Sequence, residues 1–99
     1  MMWMLGNRRR FLVSGDSMTP TLENGQFILM DPEPPSISEG DVVICQHPEQ
    51  DLEMVKRVVI IEEGRFFVQG DNKERSSDSR QFGWLTREHI VGTVVSKLT

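Results

Sequence analysis

The chain has 99 residues, of which 37 % are hydrophobic and 26 % are charged, and its formal net charge is −4. This composition is typical of a single small globular domain, covering residues 1–99, and excludes a disordered chain. The acidic balance predicts no nucleic-acid partner, because binding to phosphate depends on Lys and Arg. The single cysteine, Cys45, excludes an internal disulfide, and the spacing of His47 and His89 predicts no metal site.

The N-terminal segment "MMWML" is a short apolar run that ends at Gly6. A membrane span needs about 20 apolar residues and a signal-peptide core needs about 7 to 15. The sequence therefore predicts no transmembrane segment and a cytoplasmic protein. Residues 1–7 are expected to form a disordered or surface-lying tail, with contact to a membrane surface as the alternative.

Strand signals dominate the chain from residue 8 onwards. The segments that predict strands, in chain order, are "RRRFLV", "QFILMD", "DVVICQ", "EMVKRVVII", "RFFVQ" and "VGTVVSKL". A proline-rich loop, "DPEPPSISEGD", separates the second segment from the third. The segment "LTREHI" predicts at most one short helical turn, with Thr86 as its cap. Short strands with turn signals predict an all-β fold, either a small barrel or a sandwich.

The segment "GDSMTPTL" places Ser17 at the end of the first predicted strand. A plain strand would avoid Pro20, and a plain surface turn has no use for Met18. The pattern indicates a specialised turn that holds the Ser17 hydroxyl for use as a nucleophile. Such a nucleophile needs a base elsewhere in the chain.

Lys56 is the candidate base. Strand alternation puts it on the same face as Met54, Val58 and Ile60, all of which are apolar. Burial disfavours the ammonium form and lowers the pKa of a lysine, so that the neutral amine can accept a proton from a serine. The alternative is an edge-strand lysine whose ammonium group reaches water.

The third informative segment is the polar run "GDNKERSSDSRQFGW", residues 70–84. Asp78 and Arg80 lie two residues apart and predict an ion pair that braces this loop. A hydrogen bond between the Ser76 hydroxyl and Lys56 would help to fix the lysine in position. Ser76 would then be the orienting group for the base, Lys56, which acts on the nucleophile, Ser17.

Four segments, "GDSMTPTL", "GDVVICQ", "MVKRVV" and "GDNKERSSDSRQFG", resemble in this order the four conserved boxes of the type I signal peptidase family. Within that family the chain is most similar to the short proteases that mature nickel-type superoxide dismutase. The resemblance implies the family's coiled, β-barrel-like catalytic domain and no cofactor. It also implies a protein precursor as substrate, bound as an extended strand beside the site.

The resemblance also implies a role for each matching residue. Ser17 corresponds to the nucleophile and Lys56 to the general base. Ser76 corresponds to the serine that orients the lysine, and Asp78 and Arg80 correspond to the supporting pair.

Three further assignments concern the binding of the substrate. The family's oxyanion hole uses the backbone N–H of the nucleophile, here Ser17. Gly15 stands where some members carry a second, side-chain donor, so the second donor here is either a backbone group, with Gly15 as the candidate, or missing. Met18 matches a residue that lies beside the substrate strand in the family.

The resemblance implies a serine endopeptidase that removes a short N-terminal extension from a precursor, in this case nickel-type superoxide dismutase. One alternative is a signal peptidase I-like enzyme whose membrane anchor lies outside this chain. A self-cleaving repressor domain is disfavoured, because only sixteen residues precede Ser17. An alternative of another class is a non-catalytic β-barrel binding module, in which Ser17 and Lys56 would both face open water.

Overall fold

The computed structural model of the protein describes residues 7–99, so the predicted tail, residues 1–7, lies outside the described residues apart from Asn7. The described chain forms the strands β1 (Arg9–Leu12), β2 (Phe27–Asp31), β3 (Val42–Gln46), β4 (Glu53–Glu62), β5 (Arg65–Gln69), β6 (Leu85–Thr86) and β7 (Ile90–Lys97). They make one antiparallel sheet in the order β1-β2-β7-β3-β4-β5-β6, curled into a half-barrel. The predicted all-β class is confirmed.

Helical structure within residues 7–99 is confined to three short segments: a 3₁₀ turn at Lys73–Arg75, a single α-helical turn, α1, at Ser79–Phe82, and a 3₁₀ turn at Arg87–His89. The last of these is the turn predicted at Thr86, whose backbone N–H donates to Nδ1 of His89 at 3.1 Å. The other two were not predicted. No helix in the described part of the chain has the length and apolar character needed to cross a membrane.

The α1 turn exists because its first residues satisfy one another. Asp78 precedes the turn, and its carboxylate accepts a hydrogen bond from the backbone N–H of Arg80 at 3.1 Å. In return, the Gln81 side chain accepts from the backbone N–H of Asp78 at 2.8 Å. This reciprocal capping box supplies acceptors for two N–H groups that a helix start leaves unpaired.

The sheet separates two clusters of buried side chains. The first contains Val43, Cys45, Met54, Val58, Phe66, Val68, Leu85 and Ile90. The second contains Val13, Met18, Leu22, Ile28, Met30, Ile44 and Val55. Successive residues of β3 and β4 enter the two clusters alternately, so both strands are buried on both faces. Cys45 is among them, and burial raises the pKa of its thiol to about 12.

The strand face predicted for Lys56 is correct over its first half. Met54 and Val58 are buried, and Lys56 itself is only 4 % exposed. Ile60, however, is 37 % exposed, so its predicted place on the same buried face is wrong. The pairing of β4 with β5 shifts register between Val58 and Ile60, and such a bulge moves the following side chains off the face that strict alternation assigns to them.

Candidate active site

Ser17 lies in the turn that connects β1 with β2. The turn closes through two local bonds, from the Thr19 N–H to the Asp16 carbonyl at 3.2 Å and from the Leu22 N–H to the Met18 carbonyl at 2.9 Å. Ser17 is half-buried and lines a cleft of about 340 Å³ together with Asp16 and Lys56. The structure therefore brings the predicted nucleophile and the predicted base to one cavity.

Lys56 reaches this cleft from the middle of β4. Its Nζ donates a hydrogen bond to Oγ of Ser76 at 3.0 Å, and no direct bond to Ser17 is formed within the described chain. Burial lowers the pKa of Lys56, and the nearby carboxylate of Asp78 opposes that change only in part. The site therefore favours the neutral amine more than water does.

Ser76 is the acceptor for Lys56 because its own proton is already used. The Ser76 hydroxyl donates to Oδ2 of Asp78 at 2.7 Å. Its oxygen also accepts from the backbone N–H of Gly70 at 3.2 Å. Ser76 can then offer Lys56 only a lone pair, so one N–H of the amine is directed at Ser76.

Asp78 anchors the arrangement as a fully buried carboxylate. It accepts hydrogen bonds from Ser76, from the Gly70 N–H at 3.0 Å, and from Nε and Nη2 of Arg80 at 2.9 Å and 3.0 Å. Burial acts to raise its pKa, but these donors, Arg80 first, outweigh burial and bring the pKa down to about 2. The carboxylate therefore stays ionised at neutral pH. Arg80 also donates to the Lys73 carbonyl at 3.0 Å, so it braces the loop internally.

A second ion pair, which the sequence reading did not single out, joins β4 to the same loop. Arg57 donates to Asp71 through Nε at 2.8 Å and Nη2 at 2.7 Å. Asp71 also accepts from Oγ1 of Thr21 at 2.5 Å, which connects it to the turn that carries Ser17. The Arg57 bonds, more than the Thr21 bond, hold the pKa of Asp71 below its usual range. In the sequence, Arg57 lies in "KR" and Asp71 lies in "GDN", and these two segments were the available sign of an ion pair.

Gly70 lies where the end of β5, the turn that carries Ser17 and the loop that carries Ser76 come together. A Cβ at this position would overlap the backbone oxygen of Ser17 and the side chain of Ser76. Only glycine therefore allows the end of β5 to lie this close to both the serine turn and the loop that holds Lys56. This close approach explains why a glycine begins the polar segment.

Gly15 and Met18, which the resemblance assigns to substrate binding, both make contacts within the protein. The backbone N–H of Gly15 donates to Oδ1 of Asn24 at 2.8 Å. Met18 is 1 % exposed and packs in the second cluster, where its sulfur accepts from the Asp71 N–H at 3.4 Å. Its side chain therefore faces the core.

The sequence profile described as "Peptidase S24-like" matches residues 9–95. The chain belongs to the Peptidase S24-like family. The match covers β1 to most of β7, and with them every residue assigned to the site above.

Relatives of this Peptidase S24-like chain carry peptidase names. It is 25 % identical to signal peptidase I of Bacillus licheniformis over an alignment of 134 positions, covering 84 % of this chain and 72 % of that protein. It is 28 % identical to mitochondrial inner membrane protease subunit 1 of Xenopus tropicalis, covering 84 % of this chain and 64 % of that protein. A 45 % identical match to signal peptidase I of Aquifex aeolicus covers 50 % of this chain and 18 % of that protein. The predicted relationship to signal peptidases is confirmed at the level of the family.

Proposed function

We propose that this chain is a serine endopeptidase with Ser17 as nucleophile and Lys56 as general base. One observation carries the proposal: Lys56 is a buried amine, held by a serine whose proton is committed to Asp78, in the same cleft as Ser17. A binding module with both side chains in open water does not fit that geometry. A buried amine near a hydroxyl is what a serine–lysine mechanism needs.

The reaction follows from the groups in the cleft. Ser17 Oγ attacks the carbonyl carbon of the scissile peptide while its proton passes to the neutral amine of Lys56. The Ser17 backbone N–H stabilises the negative oxygen that forms. The Lys56 ammonium group then gives the proton to the leaving amine, and an acyl-enzyme remains. Water, deprotonated by Lys56, releases the acyl group and restores Ser17.

Ser76 supports this cycle by fixing one N–H of Lys56. A neutral amine has two N–H groups and one lone pair, and the bond to Ser76 restricts the direction in which the lone pair can point. Asp78 and Arg80 keep Ser76 in place. None of these steps calls for a cofactor.

We further propose that the substrate is a protein precursor bound as an extended strand, and that nickel-type superoxide dismutase with its N-terminal extension is that precursor. The support is the similarity of the four sequence segments to the short maturation proteases. A second candidate, removal of signal peptides, is favoured by the names of the Bacillus licheniformis and Aquifex aeolicus relatives. The cytoplasmic location remains a prediction from the sequence.

The test incubates the protein with purified nickel-type superoxide dismutase precursor, with a secretory precursor that carries a signal peptide, and with a randomised decapeptide mixture. The mass of each product gives the new N-terminus, and a Ser17→Ala variant is the matched control. We expect cleavage of the first precursor by the wild type and less than about 1 % residual activity in the variant. Cleavage of the secretory precursor alone would move the assignment to the second candidate. Cleavage that persists in Ser17→Ala would remove Ser17 from its role.

A further inference from the structure

Asn72 holds the turn that carries Ser17 at three points. Its side-chain Nδ2 donates to the Asp16 carbonyl at 3.1 Å and to Oγ1 of Thr19 at 2.9 Å. Its backbone N–H donates to the Ser17 carbonyl at 2.8 Å. The residue lies more than fifty positions away in sequence, so these bonds fix the turn against a different part of the fold.

The bond to the Asp16 carbonyl matters because of what shares its peptide group. The Asp16 carbonyl and the Ser17 N–H belong to one planar, trans peptide, so they point in opposite directions. The same oxygen also accepts from the Thr19 N–H at 3.2 Å and from Oγ1 of Thr19 at 3.0 Å. With its carbonyl held from several sides, this peptide plane cannot turn without breaking those bonds. Within residues 7–99 the Ser17 N–H itself has no acceptor.

We propose that Asn72 is a positioning residue that directs the Ser17 N–H toward the oxyanion of the substrate. Donation to the Asp16 carbonyl fixes the direction of the N–H on the other side of the peptide, and it also polarises the peptide so that the N–H becomes a stronger donor. The inference rests on the proposed function of Ser17. Asn72 acts through that peptide and does not touch the reacting atoms.

Such a role has a kinetic signature. The negative charge on the oxygen develops only in the transition state, so a misdirected N–H lowers kcat and leaves KM nearly unchanged. A purely structural role of Asn72 would instead lower the melting temperature and leave the kcat of the folded molecules intact.

The test uses Asn72→Ala and Asn72→Asp, which lose the side-chain donor and keep the backbone bond to Ser17. Asn72→Asp is nearly isosteric, so it also serves if Asn72→Ala does not fold. Thr21→Val is the matched control: it removes the bond from Thr21 to Asp71, which joins the same two segments without touching the Asp16–Ser17 peptide. The substrate is the decapeptide that the wild type cleaves fastest from the randomised mixture.

We expect both Asn72 variants to lose at least about tenfold in kcat, with KM changed by less than about twofold. A peptide boronate with the same residues forms a tetrahedral adduct on Ser17 Oγ, and its affinity should fall by the same factor as kcat/KM. The affinity of the uncleaved decapeptide, measured in a Ser17→Ala background, should not change. Thr21→Val should keep kcat and boronate affinity within about twofold of the wild type.

The outcomes separate the inference from the function on which it rests. If the wild type cleaves the decapeptide and Ser17→Ala does not, while the Asn72 variants keep the kcat of Thr21→Val, the positioning role is wrong and the peptidase remains. If the Asn72 variants lose kcat but bind the boronate as tightly as the wild type, the role is also wrong. If the wild type cleaves no peptide of the mixture, the proposed function fails and the inference fails with it.

Discussion

At the scale of single residues, the site sets two ionisable side chains in opposite states. Lys56 and Asp78 are separated by one hydroxyl, that of Ser76, and both are buried. Asp78 has charged and backbone donors on both oxygens and keeps its charge, whereas the one side-chain hydrogen bond of Lys56 within the described chain goes to a neutral oxygen. Both pKa values are lowered, which favours the neutral amine of Lys56 and the charged carboxylate of Asp78. Neighbouring groups whose surroundings favour different charge states are typical of sites that transfer protons.

The lowered pKa of Lys56 predicts the pH dependence of cleavage. Because only the neutral amine accepts the Ser17 proton, kcat/KM should rise with pH through one ionisation below 10.5, the ordinary value for lysine. Lys56→Arg keeps the positive charge and cannot lose its proton near neutral pH, so it should lose at least about 100-fold in kcat/KM. The measurement is the kcat/KM profile for a decapeptide between about pH 5 and pH 10.

Lys56→Met is the companion variant. It should be as inactive as Lys56→Arg, yet at least as stable as the wild type at pH 7, because a buried amine is replaced by an apolar chain of similar length. At pH values between the lowered pKa of Lys56 in the folded protein and 10.5, Lys56 is protonated in the unfolded chain but not in the folded protein. The stability of the wild type relative to Lys56→Met therefore rises with pH over this range. Substantial activity in Lys56→Arg would mean that charge, not proton transfer, is what the site requires.

At the scale of elements, Asp78 both begins α1 and holds the loop over the lysine. Its pKa lies near 2 in the folded protein against an ordinary 3.8, a difference worth about 2 kcal/mol. That stabilisation is complete above about pH 4 and is lost as pH falls through the folded value. Asp78→Asn should therefore cost at least about 2 kcal/mol at pH 7, and the difference from the wild type should shrink between about pH 4 and pH 2.

Urea unfolding over this pH range measures the effect. Asp51→Asn is the control, because Asp51 lies exposed in the β3–β4 connection and its replacement should change stability by less than about 0.5 kcal/mol. A pH-independent difference between wild type and Asp78→Asn would show that packing, and not the ionised carboxylate, accounts for the loss.

The strands were readable from the sequence because runs of β-branched and aromatic residues lie between strong turn signals. The α1 turn was missed even though Asp78 and Gln81 have the spacing of a capping box, since one helical turn leaves no periodic pattern. β6 has only two residues, and pairing with β5, not propensity, makes it a strand. Ile60 was misplaced because a bulge is a property of paired strands. The use of the Gly15 N–H by Asn24 is likewise a contact between separate segments.

At the scale of the whole molecule, the site is assembled from three segments that the sheet brings together. Ser17 follows β1, Lys56 lies on β4, and Ser76 belongs to the loop after β5. β4 is held rigidly, because its side chains enter the two buried clusters on alternate faces. The serine turn is held through the loop, and Gly70 lies against both Ser17 and Ser76.

Gly70→Ala is predicted to separate these segments. The new Cβ would overlap the backbone oxygen of Ser17, which cannot rotate away as a side chain could, and it would also press on Ser76. Since a displacement of about 1 Å can cost about 100-fold in rate, kcat should fall by at least that factor. The measurement combines decapeptide cleavage with the melting temperature, so that kcat refers to folded molecules only.

Gly92→Ala, on β7, is the matched control. There the new Cβ would overlap the Asp31 backbone oxygen and the Met30 side chain, so the steric overlap is of the same kind. None of these three residues lines the cleft. Both variants should melt at lower temperature than the wild type, and only Gly70→Ala should lose kcat once folded protein is counted. Equal loss of kcat in the two variants would show that cleavage depends on the general stability of the sheet. It would then not depend on the close approach of the serine turn to the loop that holds Lys56.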